Sequence, residues 1–249
     1  ELPKSEYSDC IWVCWWQGLE QAPEIVKICV ESIKKNAGDH RVIILTDDNY
    51  KQYVDIPEWV EEKKNKGIIS RTHYSDILRL ALLAQHGGMW IDSTFYCTDN
   101  VLDDYFKWPL WSIKRPDYFH ASIASGYFAN YSFACTQENR WVFQTILDFL
   151  LEYWNKNDIL TDYLFLDYLI VLVQKYDDRI SEIFKKINSN NSQCDELYKI
   201  MAEPFDQEKW DVMKKDTALF KLSWKYEYPL EKDEKDTFYG RLMKKQLDY

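Results

Sequence analysis

Residues 72 to 98, THYSDILRLALLAQHGGMWIDSTFYCT, constrain the fold more than any other stretch of the chain. Thr72 is placed to cap a helix, and an apolar run follows at Ile77, Leu78, Leu80, Ala81, Leu82 and Leu83. His86 closes the run, and Gly87-Gly88 supplies a left-handed stop. Met89-Trp90-Ile91 then reads as a short buried strand that runs straight into Asp92. Two polar residues interrupt the helix: Asp76 and Arg79, spaced i and i+3 and therefore on one face. In open α/β sheets ligands bind at the carboxyl ends of the strands, and Asp92 falls there. Taken singly, the pair could be a surface contact worth well under ~1 kcal/mol, and Asp92 could open a turn. All three within seventeen residues, beside an apolar helix and strand, point to a site.

The rest of the first half supports an α/β reading. Ile11 to Trp15 predicts a buried strand, with Trp16-Gln17-Gly18 as the loop at its carboxyl end. Pro23 suits the first turn of a helix running to about Asn36, with Ile25, Ile28 or Cys29, and Ile33 inward. Arg41 to Thr46 predicts a second strand, followed by the polar loop Asp47-Asp48-Asn49. A strand, helix and strand this close together form a βαβ unit with parallel strands. Glu58 to Lys66 is a charged, solvated helix. Later, Leu110–Lys114 and Tyr127–Ala134 read as strands, Glu138–Tyr153 as a helix, and Asp162–Tyr176 as a strongly apolar helix containing Asp167. A carboxylate in such a segment needs a partner or a role. No linker or repeat divides the 249 residues, which fit one large domain.

A net charge of −10 argues against a general nucleic-acid binder. Six cysteines without CxxC or zinc spacing suit a reduced, cytoplasmic chain. No apolar run is long enough to span a membrane. Near the C-terminus, FYGRLMKKQL mixes apolar and basic residues, so it suits either peripheral contact with an anionic inner membrane face or docking on the body.

Ser75-Asp76-x-x-Arg79 followed by Gly87-Gly88-x-Trp90-x-Asp92 resembles the signature of sugar transferases with a GT-A fold and a DXD motif. The similarity is to bacterial capsular polysaccharide synthesis glycosyltransferases of the family 32 type. It extends more distantly to yeast initiating mannosyltransferase and the clostridial glucosylating toxins. The likeness is clear over residues 11 to 98 and thins afterwards. It implies a single GT-A domain with a mostly parallel central sheet flanked by helices and a helix-rich C-terminal half. Residues 1–100 would bind a nucleotide sugar, and 101–249 would form the acceptor side and a closing segment.

The activity implied is a retaining transfer from a nucleotide sugar, UDP first, to a glycan or lipid-linked glycan in capsule synthesis. By this resemblance Asp76 and Arg79 grip the donor sugar's hydroxyls, since guanidinium donates and carboxylate accepts. Trp15 or Trp16 meets the base or borders its pocket, Gln17 offers an amide, and Thr46 is a further candidate with Asp47 and Asn49. Asn130 and Asp167 fall where relatives contact donor or acceptor. Phe220 to Lys225, FKLSWK, is similar to a closing segment, so Lys221, Ser223, Trp224 and Lys225 would cover the diphosphate. The alternative role for that piece is an edge strand with its basic residues outward.

The motif departs from its relatives at Thr94, where a second aspartate usually binds the metal directly, and at Phe220, where a histidine is usual. Asp92 with Thr94 is still expected to hold a divalent ion, Mn²⁺ or Mg²⁺; otherwise Lys221 and Lys225 supply part of its charge. The missing carboxylate also motivates a second reading, a catalytically inactive nucleotide-sugar or carbohydrate-binding module. A third, a phosphodiester hydrolase, finds little support in the scattered His40, His73, His86 and His120.

Overall fold

A computed structural model describes residues 5–116 and 122–247, so His120 lies outside the described residues. β1 (Ile11–Cys14), α1 (Glu24–Lys35) and β2 (Val42–Leu45) form the expected βαβ unit, with Ile11 opposite Val42 in parallel register. Pro23 stands at the N-cap of α1, which buries Ile25, Ile28, Cys29 and Ile33. The charged helix α2 (Glu58–Asn65) buries only Val60. Next come α3 (Arg71–Gln85) and β3 (Gly88–Ile91).

The helix α3 begins earlier than its apolar run suggests. Ser70, not Thr72, is the N-cap, and its Oγ accepts a hydrogen bond from the His73 backbone N–H at 3.3 Å. Such a cap contributes about 1 kcal/mol. The extra turn follows from Tyr74, which is fully buried and extends the core-facing stripe toward the N-terminus.

The chain continues through β4 (Phe95–Cys97), α4 (Leu102–Tyr105), β5 (Leu110–Ser112), β6 (Ser132–Cys135) and α5 (Arg140–Lys156). Then follow α6 (Phe165–Tyr176), α7 (Asp178–Lys185), α8 (Glu196–Ile200), α9 (Gln207–Lys214), β7 (Leu219–Lys221) and α10 (Phe238–Met243). The central sheet has the order β2-β1-β3-β6-β5. β1 is parallel to β2 and β3, whereas β6 is antiparallel to both β3 and β5. Thus β6 alone runs against the rest, and the expected α/β fold with a mostly parallel sheet is the one observed.

Two expected strands are shorter than the pattern implied. β5 stops at Ser112, and β6 starts only at Ser132, which leaves Asn130 in a turn rather than a strand. Ser112 explains part of this. Its Oγ donates to the Ala129 carbonyl at 3.1 Å and accepts from the Ala129 N–H at 2.9 Å, replacing ladder bonds with side-chain ones.

Strand alternation sorts the core into two layers. Trp12 and Trp90 face α3, α5 and α6 on one side. Ile11, Val13, Met89 and Ile91 face α1, α9 and α10 on the other. In α10 Phe238, Tyr239 and Leu242 are buried, as is Leu247, so of the two alternatives for the C-terminal segment these residues take docking on the body. Among the described residues no helix is long and apolar enough to cross a membrane. All six cysteines are free thiols.

Candidate functional site

Simple geometry sets the level at which α3 meets the end of β3. From the Gly87-Gly88 turn to Asp92 the strand climbs about 15 Å, which equals about ten residues of helix counted back from His86. That count reaches Asp76. The helix and strand are antiparallel across the turn, so Asp76 and Arg79 must lie level with the carboxyl edge where Asp92 emerges.

The three side chains do meet. Arg79 Nη1 donates to Asp76 Oδ1 at 3.1 Å, and Nη2 lies 3.5 Å from Asp92 Oδ1. Trp90 and Asp92, two residues apart, share one side of the strand; the Trp90 indole N–H donates to Asp92 Oδ1 at 3.0 Å. The Arg79 guanidinium also sits 5.1 Å from the Trp90 ring centroid. Trp90 belongs to the Gly87-Gly88-x-Trp90-x-Asp92 pattern, which by itself assigns it no role; its i, i+2 spacing to Asp92 is the signal for this contact.

The reversed strand β6 brings a further pair. Its start lies at the same edge where β3 ends, with Ile91 opposite Ser132 and the Asp92 N–H donating to the Tyr131 carbonyl at 3.1 Å. Asn130, one residue upstream, accepts from Arg79 Nη1 at 3.3 Å and donates to Asp167 Oδ2 at 2.7 Å. Asp167 arrives on the first turn of α6. Five residues from four separate segments therefore form one polar cluster in which donors and acceptors alternate.

Lys221 approaches from the opposite side. In the antiparallel ribbon of β4 and β7 it lies opposite Phe95. Its Nζ donates to Thr94 Oγ1 at 2.5 Å and stands 3.6 Å from Asp92 Oδ2. The rings of Phe95 and Tyr131 flank it at 5.7 and 5.6 Å.

This arrangement does not fit the divalent ion expected at Asp92 and Thr94. The Thr94 oxygen accepts from an ammonium, and each Asp92 oxygen already has a cationic neighbour. A hard divalent ion needs several free oxygen ligands. Among the described residues no three His, Cys, Asp or Glu side chains are placed to hold a metal.

The remaining expected residues make their recorded contacts away from this cluster. Trp15 is half-buried, meets Trp224 edge to face at 5.7 Å, and its buried indole N–H has no partner. Trp16 is instead tied into the core: its N–H donates to Ser75 Oγ at 3.1 Å and its ring packs on Tyr50 and Tyr74. Gln17 is exposed. Thr46 serves its own turn, its Oγ1 accepting from the Asp48 N–H at 3.3 Å and its N–H donating to Asn49 Oδ1 at 2.8 Å. Past β7, Ser223 Oγ accepts from the Lys225 N–H at 3.2 Å, while Trp224 and Lys225 are exposed. Lys225 thus stands apart from the polar cluster that Lys221 enters.

Burial, opposed by the Arg79 guanidinium, sets the protonation of Asp76 and Asp167. Burial pushes the Asp76 carboxyl up to about 7 against the pull of Arg79, and Asp167 and Asp92 push the same way. Burial likewise raises Asp167 to about 6, opposed by Arg79 and the hydrogen bond from Asn130. The sign of the stability effect follows directly. Below the ordinary value of 3.8 both folded and unfolded chains hold the Asp76 proton. As pH rises the unfolded chain ionises first, so the folded state loses stability until about pH 7, where the loss is complete. Asp76→Asn, which keeps the acceptor for Arg79, is expected to melt higher than the parent protein. The gap should open between pH 4 and 7 and stay flat above, reaching on the order of 4 kcal/mol or about 8–16 °C. Thermal melts across that range check it, and a gap that shrinks as pH rises would contradict the assignment.

A family model described as "Capsular polysaccharide synthesis protein" matches residues 1–242. No curated protein matches the chain in sequence. Among solved structures, the chain is similar to one titled "PaToxG Glycosyltransferase", with a TM-score of 0.45 and 17% identity over 71% of this chain and 73% of that one. The apo structure of the WbbM bifunctional glycosyltransferase gives 0.47 and 9%, covering 96% of this chain and half, 50%, of that one. The galactosyltransferase LgtC, solved with donor and acceptor sugar analogues, gives 0.45 and 13% over 94% of both chains.

Proposed function

Because the chain belongs to the capsular polysaccharide synthesis protein family, we propose that it is a GT-A-type glycosyltransferase acting on a nucleotide sugar. UDP is the first nucleotide to test, and the acceptor is a glycan or lipid-linked glycan hydroxyl. The observation that carries this reading is the Arg79 guanidinium held among Asp76, Asn130 and Asp92 at the carboxyl edge of the sheet. A sugar ring presents several hydroxyls, each both donor and acceptor, and a cluster of alternating carboxylate, amide and guanidinium groups answers that pattern. Arg79 Nε is buried without a partner, and such an unpaired donor costs about 1–3 kcal/mol.

In this reading Asp76 and Arg79 bind the donor sugar, while Asp92, oriented by Trp90 and Arg79, meets the ribose. Trp15 and the exposed Trp224 border the base, with Gln17 and Thr46 on the rim, and Ser223 and Trp224 cover the diphosphate. Residues 1–100 supply most of the donor side and the later half supplies the acceptor side through Asn130 and Asp167. Near Asp167, α6 exposes Tyr168 and Leu172, and its N-cap Leu164 is exposed beside them, a surface suited to sugar rings or a lipid stem.

The transfer proceeds with retention. The bond from the anomeric carbon to the diphosphate oxygen breaks, its electron pair staying with the phosphate. The acceptor oxygen bonds to the same carbon from the same face, and its proton passes to the departing phosphate oxygen. Catalysis then rests on positioning and on charge placed near the leaving group.

The test is a panel of UDP- and GDP-sugars followed by slow donor hydrolysis. Released nucleoside diphosphate with at least one donor is the expected result. Hydrolysis should fall about 10²–10³-fold in Asp92→Asn, as when one preorganised electrostatic group is removed. Tight UDP binding without any turnover would identify the inactive binding module instead. Silence across the panel, with no nucleotide binding, would remove the transferase reading.

A further inference from the structure

Resting on the nucleotide-sugar reading, we infer that the Lys221 ammonium takes the place of a divalent cation at the donor diphosphate, so that this transferase works without metal. Asp92 Oδ2 and Thr94 Oγ1 are the atoms that would hold an ion at this strand end, and Lys221 Nζ lies 3.6 and 2.5 Å from them. A divalent ion bound to the same pair would stand within a few ångströms of that ammonium, a repulsive contact at the partly buried end of a strand. The other Asp92 oxygen offers no alternative, since it accepts from Trp90 and faces Arg79.

The lysine is also built into place rather than draped there. Its backbone belongs to β7, with the Lys221 N–H donating to the Cys194 carbonyl at 2.8 Å and the next residue, Leu222, donating to the Thr94 carbonyl at 2.9 Å. Phe95 and Tyr131 flank the side chain, and only 23% of it is exposed. Donating to Thr94 and ion-paired with Asp92, it keeps N–H groups for a ligand. An ammonium is a compact point charge with three donors, well suited to phosphate oxygen.

Threonine at 94 belongs to the same design. A second carboxylate there would clamp the ammonium in a salt bridge, whereas a hydroxyl positions it and leaves most of its positive charge for a ligand. When the anomeric bond breaks, the charge that develops on the departing diphosphate oxygen falls to Lys221.

The test compares metal-stripped protein in EDTA with the same protein in millimolar Mn²⁺, reading UDP binding by calorimetry and donor hydrolysis by released UDP. Both are expected to agree within about twofold between the two conditions. Lys221→Met, which keeps the chain length and loses the charge, should weaken UDP binding about 10–100-fold, as for loss of a charge-assisted hydrogen bond. Lys221→Arg should recover part of the loss.

A tenfold or larger gain in binding or turnover on adding Mn²⁺ to the parent protein overturns the inference while leaving the transferase reading intact. So does unchanged UDP binding in Lys221→Met. Failure of every nucleoside diphosphate to bind under either condition removes the transferase reading itself and the inference with it. The EDTA and Mn²⁺ comparison needs no variant, so it decides the matter even where Lys221→Met folds poorly.

Discussion

Replacing Arg79 with alanine is expected to reduce donor hydrolysis at least ~10³-fold and to destabilise the fold by about 3–5 kcal/mol. Both effects come from one change. The guanidinium, 5% exposed, is the shared partner of Asp76, Asn130 and Asp92. Without it two carboxylates lose their nearest counter-charge and Asn130 loses a donor. A variant that is simply unfolded would prove nothing about the sugar, so the double variant Arg79→Ala/Asp76→Asn is the informative one. Neutralising Asp76 removes the carboxylate already pushed up by burial, and it should recover a large part of the lost stability. Hydrolysis should stay near background, because the donors for the sugar hydroxyls remain missing. Melting curves and released nucleotide, measured on the same preparations, separate the two effects. Recovery of activity together with stability would show that Arg79 is a structural ion-pair partner and not a substrate contact.

Gly88→Ala should be the most damaging small substitution in the first half of the chain. Gly88 sits at φ +79°, and an added Cβ would lie 2.5 Å from the Cys10 carbonyl oxygen. That carbonyl accepts from the Met89 N–H at 2.9 Å, one of the bonds joining β1 to β3. The left-handed backbone costs an L-residue about 1–3 kcal/mol, and forcing the strands apart adds about 1–3 more, for a loss of about 2–6 kcal/mol. Gly87→Ala provides the comparison. Its backbone is equally left-handed, at φ +78°, but the added carbon would meet the Cys135 carbonyl at 3.1 Å. There the strain dominates, and about 1–3 kcal/mol is expected. Urea unfolding with an unchanged slope measures both. The account fails if Gly88→Ala proves as stable as Gly87→Ala, for then the closeness of β1 does not matter.

Much of the site could be read along the chain because its first half is local. The apolar period of α3, the two glycines and the short run to Asp92 fix a helix and a strand of known rise, which sets Asp76 and Arg79 level with Asp92. Even there one end differs: the cap is Ser70 and not Thr72, since capping residues are common and only the burial of Tyr74 selects between them. Among the aromatic pair after β1, the sequence could not separate Trp15 from Trp16. Packing does so by tying Trp16 to Ser75, Tyr50 and Tyr74 while Trp15 stands against Trp224.

The sequence by itself determined the helix, the turn, the strand and the three charged groups they carry, because hydrophobic period and backbone rise act over a few residues. Resemblance offered Asn130, Asp167 and Lys221 as candidates, and the tertiary structure decides which atoms they meet. Asn130 reaches Arg79 because β6 runs against its neighbours, and Asp167 follows because α6 packs beside it. Lys221 settles on Thr94, 127 positions away, through the pairing of β7 with β4. Strand direction and long-range pairing are set by the closure of the whole core, and no local pattern encodes them. That closure is what set an ammonium, rather than open oxygen ligands, at the end of the strand.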